Sequence, residues 1–200
     1  NMIFESIRKL ILPFSSIEPF VPDQGKILDV GCGHGVFAEL LAQKSPRRDV
    51  LGIDPSRQKI QLAKRDHKSV KNVDYRPIGI EKLKERNWDV VVVLDVIYLF
   101  PPDEKVSFLR EIRKHLKPEG ILILKEVVNE PKWKYYWVLL EELIMVKVLK
   151  LTYTQHNGIY LLNKNEYKQL LIDTGFTVTK VKPITGLLPY PHLLLVAEKN

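Results

Sequence analysis

An apolar strand pattern that runs into a glycine-rich loop and then into a helical pattern is the feature that most restricts the fold of this chain. The segment ILDVGCGHG, residues 27–35, has glycines at positions 31, 33 and 35, and the helical pattern begins at Val36. Such a loop lets the backbone approach a ligand closely. The dinucleotide fingerprint G-x-G-x-x-G would need its third glycine at position 36. The spacing therefore weakens a plain NAD-binding interpretation.

Beyond this loop, short β-rich runs alternate with longer helical patterns, which is typical of a parallel sheet covered by helices. Strands β1 to β5 are predicted at 26–30, 49–54, 73–77, 88–95 and 120–127, and β6 and β7 at 176–183 and 192–199. Helices are predicted at 36–44, 57–65, 103–116 and 165–175, the last capped by Asn163 or Asn165. The alternation predicts an α/β domain.

Length and composition fit one globular domain over residues 1–200, since 45% of the residues are hydrophobic and 28% are charged. Glu141 and Glu142 interrupt the longest apolar run, so no bilayer-spanning segment is expected. Glu5 and the lack of a small-residue cleavage site argue against a secretory signal in the first residues. The single cysteine, Cys32, is compatible with a reducing compartment, so a cytoplasmic location is predicted. No metal site is predicted.

The net charge of +7 is compatible with nucleic acid, an anionic membrane surface or an acidic small molecule as a partner. Much of the excess lies between Lys44 and Lys71, where nine basic residues face three acidic ones. That region contains no aromatic residue that could stack on bases. Nucleic acid is therefore an alternative partner rather than the favoured one.

Two acidic residues accompany the glycine loop. Asp29 lies two residues before Gly31, where its negative charge is unfavourable for a diphosphate but suits a ligand with an ammonium group. S-adenosylmethionine carries an ammonium group and a sulfonium cation and has no phosphate. Asp54 follows Gly35 by 19 residues, at the end of β2, where a carboxylate can accept hydrogen bonds from both ribose hydroxyls. The loop and the two acids favour S-adenosylmethionine as the cofactor.

With these features the chain resembles the class I S-adenosylmethionine-dependent methyltransferases, whose first motif has the form acidic-x-Gly-x-Gly-x-Gly. LGIDPS at 51–56 is similar to the family's ribose-binding strand end, and WDVVVVLDVIY at 88–98 to its fourth strand and acceptor-facing loop. FLREIRKHLKPEGILIL at 108–124 is similar to its helix and fifth strand. The resemblance implies a Rossmann-like α/β fold with helices on both faces of a seven-stranded sheet, strand order 3-2-1-4-5-7-6 and β7 antiparallel.

The resemblance also implies a cofactor site made by the glycine loop and by the ends of β2, β3 and β4. Its residues would be Asp29, Gly31, Cys32, Gly33, Gly35, Asp54, Pro55, Gly79, Ile80, Asp95 and Val96. Relatives often have an acidic residue after β3 that contacts the adenine amino group, whereas this chain has Ile78, Gly79 and Ile80. Adenine would then be held by backbone groups and apolar contact, or by Glu81. S-adenosylhomocysteine is the expected product.

The acceptor side of the site is predicted at the end of β4, because ligands of open α/β sheets bind beyond the strands' carboxyl ends. Asp95 is a candidate general base there, and equally a candidate helix cap or cofactor contact. Tyr98 falls where many relatives carry a histidine and is a candidate for orienting the acceptor. Cys32 lies in the glycine loop rather than in an acceptor-facing motif, which disfavours chemistry with a cysteine nucleophile.

A long helical pattern after β5 looks like an insertion, and residues 131–162 are predicted to form a helical cap over the ends of β4 and β5. Its aromatic residues would make the acceptor pocket largely apolar and exclude water. Trp137, Tyr153 and His156 are candidate substrate contacts in this segment. Its basic flanks are also compatible with peripheral contact to an anionic membrane.

The sequence thus predicts an enzyme that transfers a methyl group from S-adenosylmethionine to a small acceptor of hydrophobic character. Two alternatives stay open. One is an RNA methyltransferase that uses the basic surface. The other is an accessory protein that binds the cofactor without turnover.

Overall fold

The computed structural model describes residues 14–130, 159–184 and 191–200. They include a seven-stranded sheet of order β3-β2-β1-β4-β5-β7-β6. The strands are β1 (Gly25–Val30), β2 (Arg48–Ile53), β3 (Val73–Arg76), β4 (Trp88–Leu94), β5 (Leu116–Val127), β6 (Phe176–Ile184) and β7 (His192–Lys199). Strands β1 to β5 pair in parallel, and β7 runs antiparallel to β5 and β6. The expected strand order and the antiparallel β7 are confirmed.

Helices cover both faces of this sheet. They are α1 (Phe14–Ile17), α2 (Val36–Lys44), α3 (Arg57–Asp66), α4 (Pro102–His115) and α5 (Lys164–Asp173), with 3₁₀ turns at Glu18–Phe20, Ile80–Lys82 and Ile97–Leu99. One layer of buried side chains includes Phe37 and Leu41 of α2, and the other includes Leu109 of α4 and Tyr167 of α5. Two apolar layers on one sheet produce the doubly covered architecture that the alternating pattern predicts.

Local sequence explains where α3 and α5 begin. The Ser56 hydroxyl accepts a hydrogen bond from the backbone N–H of Lys59 at the start of α3. At the start of α5, Asn163 Oδ1 accepts from the N–H of Glu166, whose carboxylate accepts from the N–H of Asn163. This reciprocal capping box satisfies backbone donors that the first helical turn leaves open. Of the two asparagines considered as caps, Asn163 has that role.

The boundary between α4 and β5 differs from the prediction. The helix ends at His115, one residue earlier than predicted, and β5 begins at Leu116 rather than at 120. Leu116 is buried and pairs with Trp88 of β4, after which the register shifts. Pro118 cannot donate to the ladder, and Glu119 has a φ of 60°, so the strand contains an irregularity there. Leu116 has helical spacing in the sequence, but its packing beside Trp88 places it in the strand.

The predicted cap falls mostly outside the described residues, since 131–158 are not among them. The residues that precede the cap, up to 130, and its last four residues, 159–162, are described, and they meet. Leu162 forms a parallel bridge with Val128, and the N–H of Asn129 donates to the Leu162 carbonyl at 3.2 Å. Residues 159–162 are not helical, and only Leu162 lies in a bridge. The helical cap predicted over 131–162 otherwise lies outside the described residues and stays a prediction.

None of the helices in the described ranges is long and apolar enough to cross a membrane.

Candidate functional site

The glycine loop lies at the carboxyl ends of β1 and β2, as predicted. The N–H groups of Gly31 and Cys32 both donate to the Ile53 carbonyl at the end of β2, at 2.8 and 3.0 Å. Gly31, Gly33 and Gly35 have φ values of 76°, 57° and 77°, in the left-handed region that favours glycine. The loop is thus tied to the neighbouring strand and turns sharply into α2.

Asp54 connects this loop to the segment after β2. Its Oδ2 accepts a hydrogen bond from the N–H of Gly33 at 3.1 Å, and its Oδ1 accepts from the N–H of Ser56 at 2.8 Å. The residue is only 7% exposed. Each carboxylate oxygen has a second lone pair, so Asp54 has acceptor capacity left for a ligand while it fixes the loop.

A buried network that the sequence did not predict supports the loop from beneath. Nε2 of His67 lies 2.9 Å from the carbonyl oxygen of His34, and Nδ1 lies 3.0 Å from the carboxylate of Glu39 on α2. The Tyr75 hydroxyl donates to the Gly35 carbonyl at 3.1 Å. A Cβ on Gly35 would lie 2.5 Å from the Tyr75 ring. The His67 and Tyr75 side chains therefore pack against the loop, and Tyr75 leaves no room for a side chain at position 35.

Cys32 lies in the loop with its side chain buried. Burial raises the pKa of its thiol well above the ordinary value, and the nearby carboxylates of Asp29 and Asp54 raise it further. A thiol in that state is a poor nucleophile. Cys32 acts as a small packing residue, in agreement with the sequence argument against a cysteine nucleophile.

A small cavity joins the ends of β1 and β4. Its volume is about 30 Å³, and Asp29, Gly31, Cys32 and Asp95 are among the residues that line it. Asp29 is 2% exposed. Oδ1 of Asp95 is buried and has no hydrogen-bond partner within the described residues. The structure thus brings together two acidic side chains that are 66 positions apart in the sequence.

Asp95 has an unusual backbone and a charged partner. Its φ of 57° is in the left-handed region, which non-glycine residues adopt at a cost of about 1–3 kcal/mol. Its N–H donates to the Lys125 carbonyl at 2.9 Å, and Lys125 Nζ donates to Oδ2. Such a conformation needs surrounding contacts to hold it, and Lys125 of β5 supplies two of them.

The turn after Asp95 is held by a second β5 residue, Glu126. Its Oε1 accepts hydrogen bonds from the N–H groups of Val96 and Ile97 at 3.0 and 2.8 Å, and its Oε2 accepts from Tyr98 at 3.3 Å. Burial raises the pKa of the Glu126 carboxyl to about 8, and the Asp95 carboxylate also raises it. The backbone of Tyr98 is thereby fixed, and its carbonyl accepts from the N–H of Tyr160 at 2.8 Å.

The residues predicted for the adenine side surround the ends of β2 and β3. Pro55 is exposed directly after Asp54. Gly79 precedes the 3₁₀ turn that begins at Ile80, which is buried. The Glu81 carboxylate lies against the Cα of Gly79, where an added Cβ would collide with it. An acidic group therefore follows β3, two positions after Gly79. The alternative in which Glu81 holds the adenine requires such a group.

The candidate residues on the glycine loop, the β2 end and the β4 turn thus meet at one edge of the sheet. Tyr98 is half-buried at that edge. Trp137, Tyr153 and His156, the other predicted substrate contacts, lie outside the described residues. Their proximity to Asp95 stays a prediction.

Sequence reasoning missed Lys125, Glu126 and Lys105, which are all buried near the β4 turn. A signal for the first two was present, since a lysine and a glutamate interrupt the apolar run GILILKEV. Charged residues are almost never fully buried without a partner, so such a pair at a strand's carboxyl end indicates a role at that edge. Lys105 has no comparable signal, because it lies among other charged residues in α4.

Comparison with known proteins places this architecture in a family. A model of the methyltransferase domain matches residues 3–181. The ubiquinone biosynthesis O-methyltransferase of Acinetobacter baylyi is 28% identical over 167 residues, which are 81% of this chain and 66% of the relative. The enzyme of the same description from Rickettsia canadensis is 32% identical over 160 residues, 78% of this chain and 64% of the relative. The chain thus spans slightly less than two thirds of either relative.

Solved structures show the same fold. The magnesium protoporphyrin IX methyltransferase of Synechocystis, solved with bound S-adenosylhomocysteine, has a TM-score of 0.71 at 19% identity, covering 94% of this chain and 81% of that one. A methyltransferase from Methanosarcina mazei has a TM-score of 0.69 at 22% identity, covering 94% and 98%. The family resemblance found in the sequence is confirmed, and the chain belongs to the methyltransferase domain family.

Proposed function

We propose that this protein binds S-adenosylmethionine at the glycine loop and transfers its methyl group to an oxygen atom of a small-molecule acceptor. The observation that carries the proposal is the hydrogen bond from Gly33 to Asp54, which joins the loop to the acid at the end of β2. Family membership supports methyl transfer. The names of the relatives support an oxygen acceptor on a small molecule.

The cavity between β1 and β4 fits the ammonium end of this cofactor. Its volume of about 30 Å³ exceeds the roughly 10–15 Å³ that a cavity needs to hold one water molecule, so a group of the size of ammonium can enter it. Asp29 and Asp95 line it, and Asp95 Oδ1 lacks a hydrogen-bond partner within the described residues. Two carboxylates around a space of this size favour a cation and disfavour a phosphate.

The other ends of the cofactor would lie along the same edge. Asp54 would accept hydrogen bonds from the ribose hydroxyls, beside Pro55. Gly79 and Ile80 would border the adenine, and Glu81 would reach its amino group from the 3₁₀ turn. Gly31 and Gly35 let the loop pack closely on Val96 and Tyr75, since a Cβ at either position would collide with those side chains.

S-adenosylmethionine supplies a methyl group on a sulfonium centre, which is already activated for in-line displacement. The protein's contribution is then mainly alignment and exclusion of water. Asp95 suits a cofactor contact better than a general base, because Lys125 occupies its Oδ2 and the residue lines the cavity. Tyr98 is the residue we assign to orienting the acceptor, because its backbone is held on both sides.

Incubation of the protein with methyl-labelled S-adenosylmethionine and fractionated cell extract tests this proposal. We expect label in a small-molecule fraction that organic solvent extracts. Label confined to RNA would establish the alternative acceptor class. Cofactor binding without labelled product in any fraction would establish an accessory protein without turnover.

A further inference from the structure

Two buried ionisable side chains, one acidic and one basic, hold the turn that follows β4. From one side, the Glu126 carboxylate accepts the N–H groups of Val96, Ile97 and Tyr98. From the other side, Lys105 Nζ donates to the Ile97 carbonyl at 2.8 Å. Glu126 is 0% exposed and Lys105 is 1% exposed. The turn therefore lies between an acceptor for its N–H groups and a donor for a carbonyl.

Lys105 also connects this turn to the chain that returns after residue 158. Its Nζ donates to the Tyr160 carbonyl at 2.6 Å, and the N–H of Tyr160 donates to the Tyr98 carbonyl at 2.8 Å. Its ammonium lies 6.0 Å from the centre of the Tyr160 ring. One lysine on α4 thus fixes two segments that are 63 positions apart, counted from Ile97 to Tyr160.

The held turn contacts the glycine loop directly. An added Cβ on Gly31 would lie 2.5 Å from Cγ2 of Val96, so the Val96 side chain packs against the Gly31 backbone. Asp95, directly before Val96, lines the cavity shared with Asp29. A displacement of this turn would change both the packing of the loop and the position of the Asp95 carboxylate.

Burying an acidic and a basic side chain is energetically costly, and replacing such a pair by apolar side chains of the same volume is often neutral or stabilising. Burial lowers the pKa of the Lys105 ammonium to about 8, which reflects that cost. The turn is half-buried at Val96 and Tyr98, so water could satisfy part of its backbone groups. The hydrogen bonds of these two side chains give the turn a fixed geometry, which water would not.

We propose that Glu126 and Lys105 are positioning residues, which act as a clamp that holds Asp95 and Val96 against the cofactor loop and Tyr98 toward the acceptor. The clamp depends on the proposed function in one respect only, which is the identity of the ligands that Asp95, Val96 and Tyr98 contact. Neither residue touches the cofactor or acceptor in this account. Their effect passes through the backbone of residues 95–98.

The test combines amide NMR with calorimetric titration of S-adenosylhomocysteine, for the wild type, Glu126→Gln and Lys105→Met. The glutamine has the shape of glutamate but directs an NH₂ group at one of the backbone donors. We expect Glu126→Gln to shift the amide resonances of Val96, Ile97 and Tyr98, and to weaken ligand binding about tenfold. Lys105→Met should shift the Tyr160 amide and weaken binding in the same direction. Glu198→Gln, an exposed glutamate on β7, is the matched control and should change neither quantity.

Titrations are made well below the melting temperature of each variant, so that a loss of stability alone leaves the affinity unchanged. Unchanged affinity in both variants, or amide shifts no larger than in Glu198→Gln, would overturn the clamp. If Glu126→Gln does not fold, Lys105→Met decides by the same two measurements. If wild-type protein does not bind S-adenosylhomocysteine, the proposed function fails, whereas the amide shifts still decide whether Glu126 and Lys105 hold the turn.

Discussion

Lys125 Nζ lies 2.5 Å from Oδ2 of Asp95, and the lysine side chain is 1% exposed whereas that of the aspartate is 24% exposed. Asp95 directly follows β4, and Lys125 lies in the neighbouring parallel strand β5, where it pairs with Leu94. The asymmetry in exposure matters, since only the aspartate could recover solvation if its partner were lost. The ion pair should therefore respond differently to removal of its two members.

Asp95→Asn should destabilise the protein by about 3 kcal/mol, because it leaves a buried ammonium without its counter-ion. Asparagine tolerates the left-handed φ at this position as well as aspartate does, so backbone strain does not contribute. Lys125→Met should cost about 1 kcal/mol or less, because methionine fills the volume and water reaches the aspartate. Urea denaturation of both variants measures the two free energies of unfolding.

Equal losses in these two variants would contradict the asymmetry and would mean that water reaches Lys125. Asp74→Asn is a suitable control, since the Asp74 side chain is 59% exposed and its ion pairs should contribute little.

Gly31→Ala should destabilise the protein for two separable reasons. The residue has a φ of 76°, which costs alanine about 1 kcal/mol, and its Cβ would lie 2.5 Å from Val96 Cγ2. Val96→Ala removes that methyl group. In a double-mutant cycle, the loss of unfolding free energy in the double variant should therefore be smaller than the sum of the losses in the two single variants. An additive result would show that the turn moves freely away from the loop.

The stability of the protein should fall as pH rises from about 4.5 to about 8, because of Glu126. Its pKa is raised from 4.5 to about 8 in the folded protein, so the folded state binds a proton in this interval that the unfolded state has released. The stabilisation is complete below 4.5 and is lost as pH rises through about 8. Glu126→Gln should flatten this dependence, measured by urea denaturation at a series of pH values.

Other charges face Glu126 and must be considered in that measurement. They are Asp95 after β4, Lys125 of β5 and Lys105 of α4, and the neutral Tyr167 phenol of α5 also faces it. The Lys105 pKa is lowered from 10.5 to about 8, so its contribution changes above pH 8, where stability is regained as pH rises toward 10.5. A profile in Glu126→Gln as steep as that of the wild type between 4.5 and 8 would assign the effect to another group.

The sequence predicts the fold well where local pattern and packing agree. The strand–loop–helix at residues 27–44 and the cap at Asn163 depend on neighbours in the chain, and both are found. The start of β5 is different, because Leu116 belongs to a helical stripe by spacing but packs beside Trp88 in the folded sheet. Only the three-dimensional neighbour decides between these states.

The site is predictable to the extent that a motif marks it. Asp29, Asp54 and the glycines follow a spacing, whereas the residues that hold the β4 turn come from β5 and α4 and share no interval with it. Glu126 acts 28 positions after Tyr98, and Lys105 acts 55 positions before Tyr160. These partner residues can be identified only from the folded structure, in which the sheet topology places the ends of β4 and β5 side by side. Side chains that support a site through the backbone are thus the part that sequence pattern does not contain.

Calorimetric titration of S-adenosylhomocysteine into wild-type protein and into Asp54→Ala tests whether the chain binds this cofactor through the acid at the end of β2. Asp54 would accept hydrogen bonds from the ribose, and loss of a charged acceptor costs about 1.5–3 kcal/mol. The wild type should bind the ligand in preference to NAD, and the variant should bind it at least about tenfold more weakly, with Asp74→Asn unchanged as the control. Equal affinity in Asp54→Ala and the wild type, or preferential binding of NAD, would contradict the account.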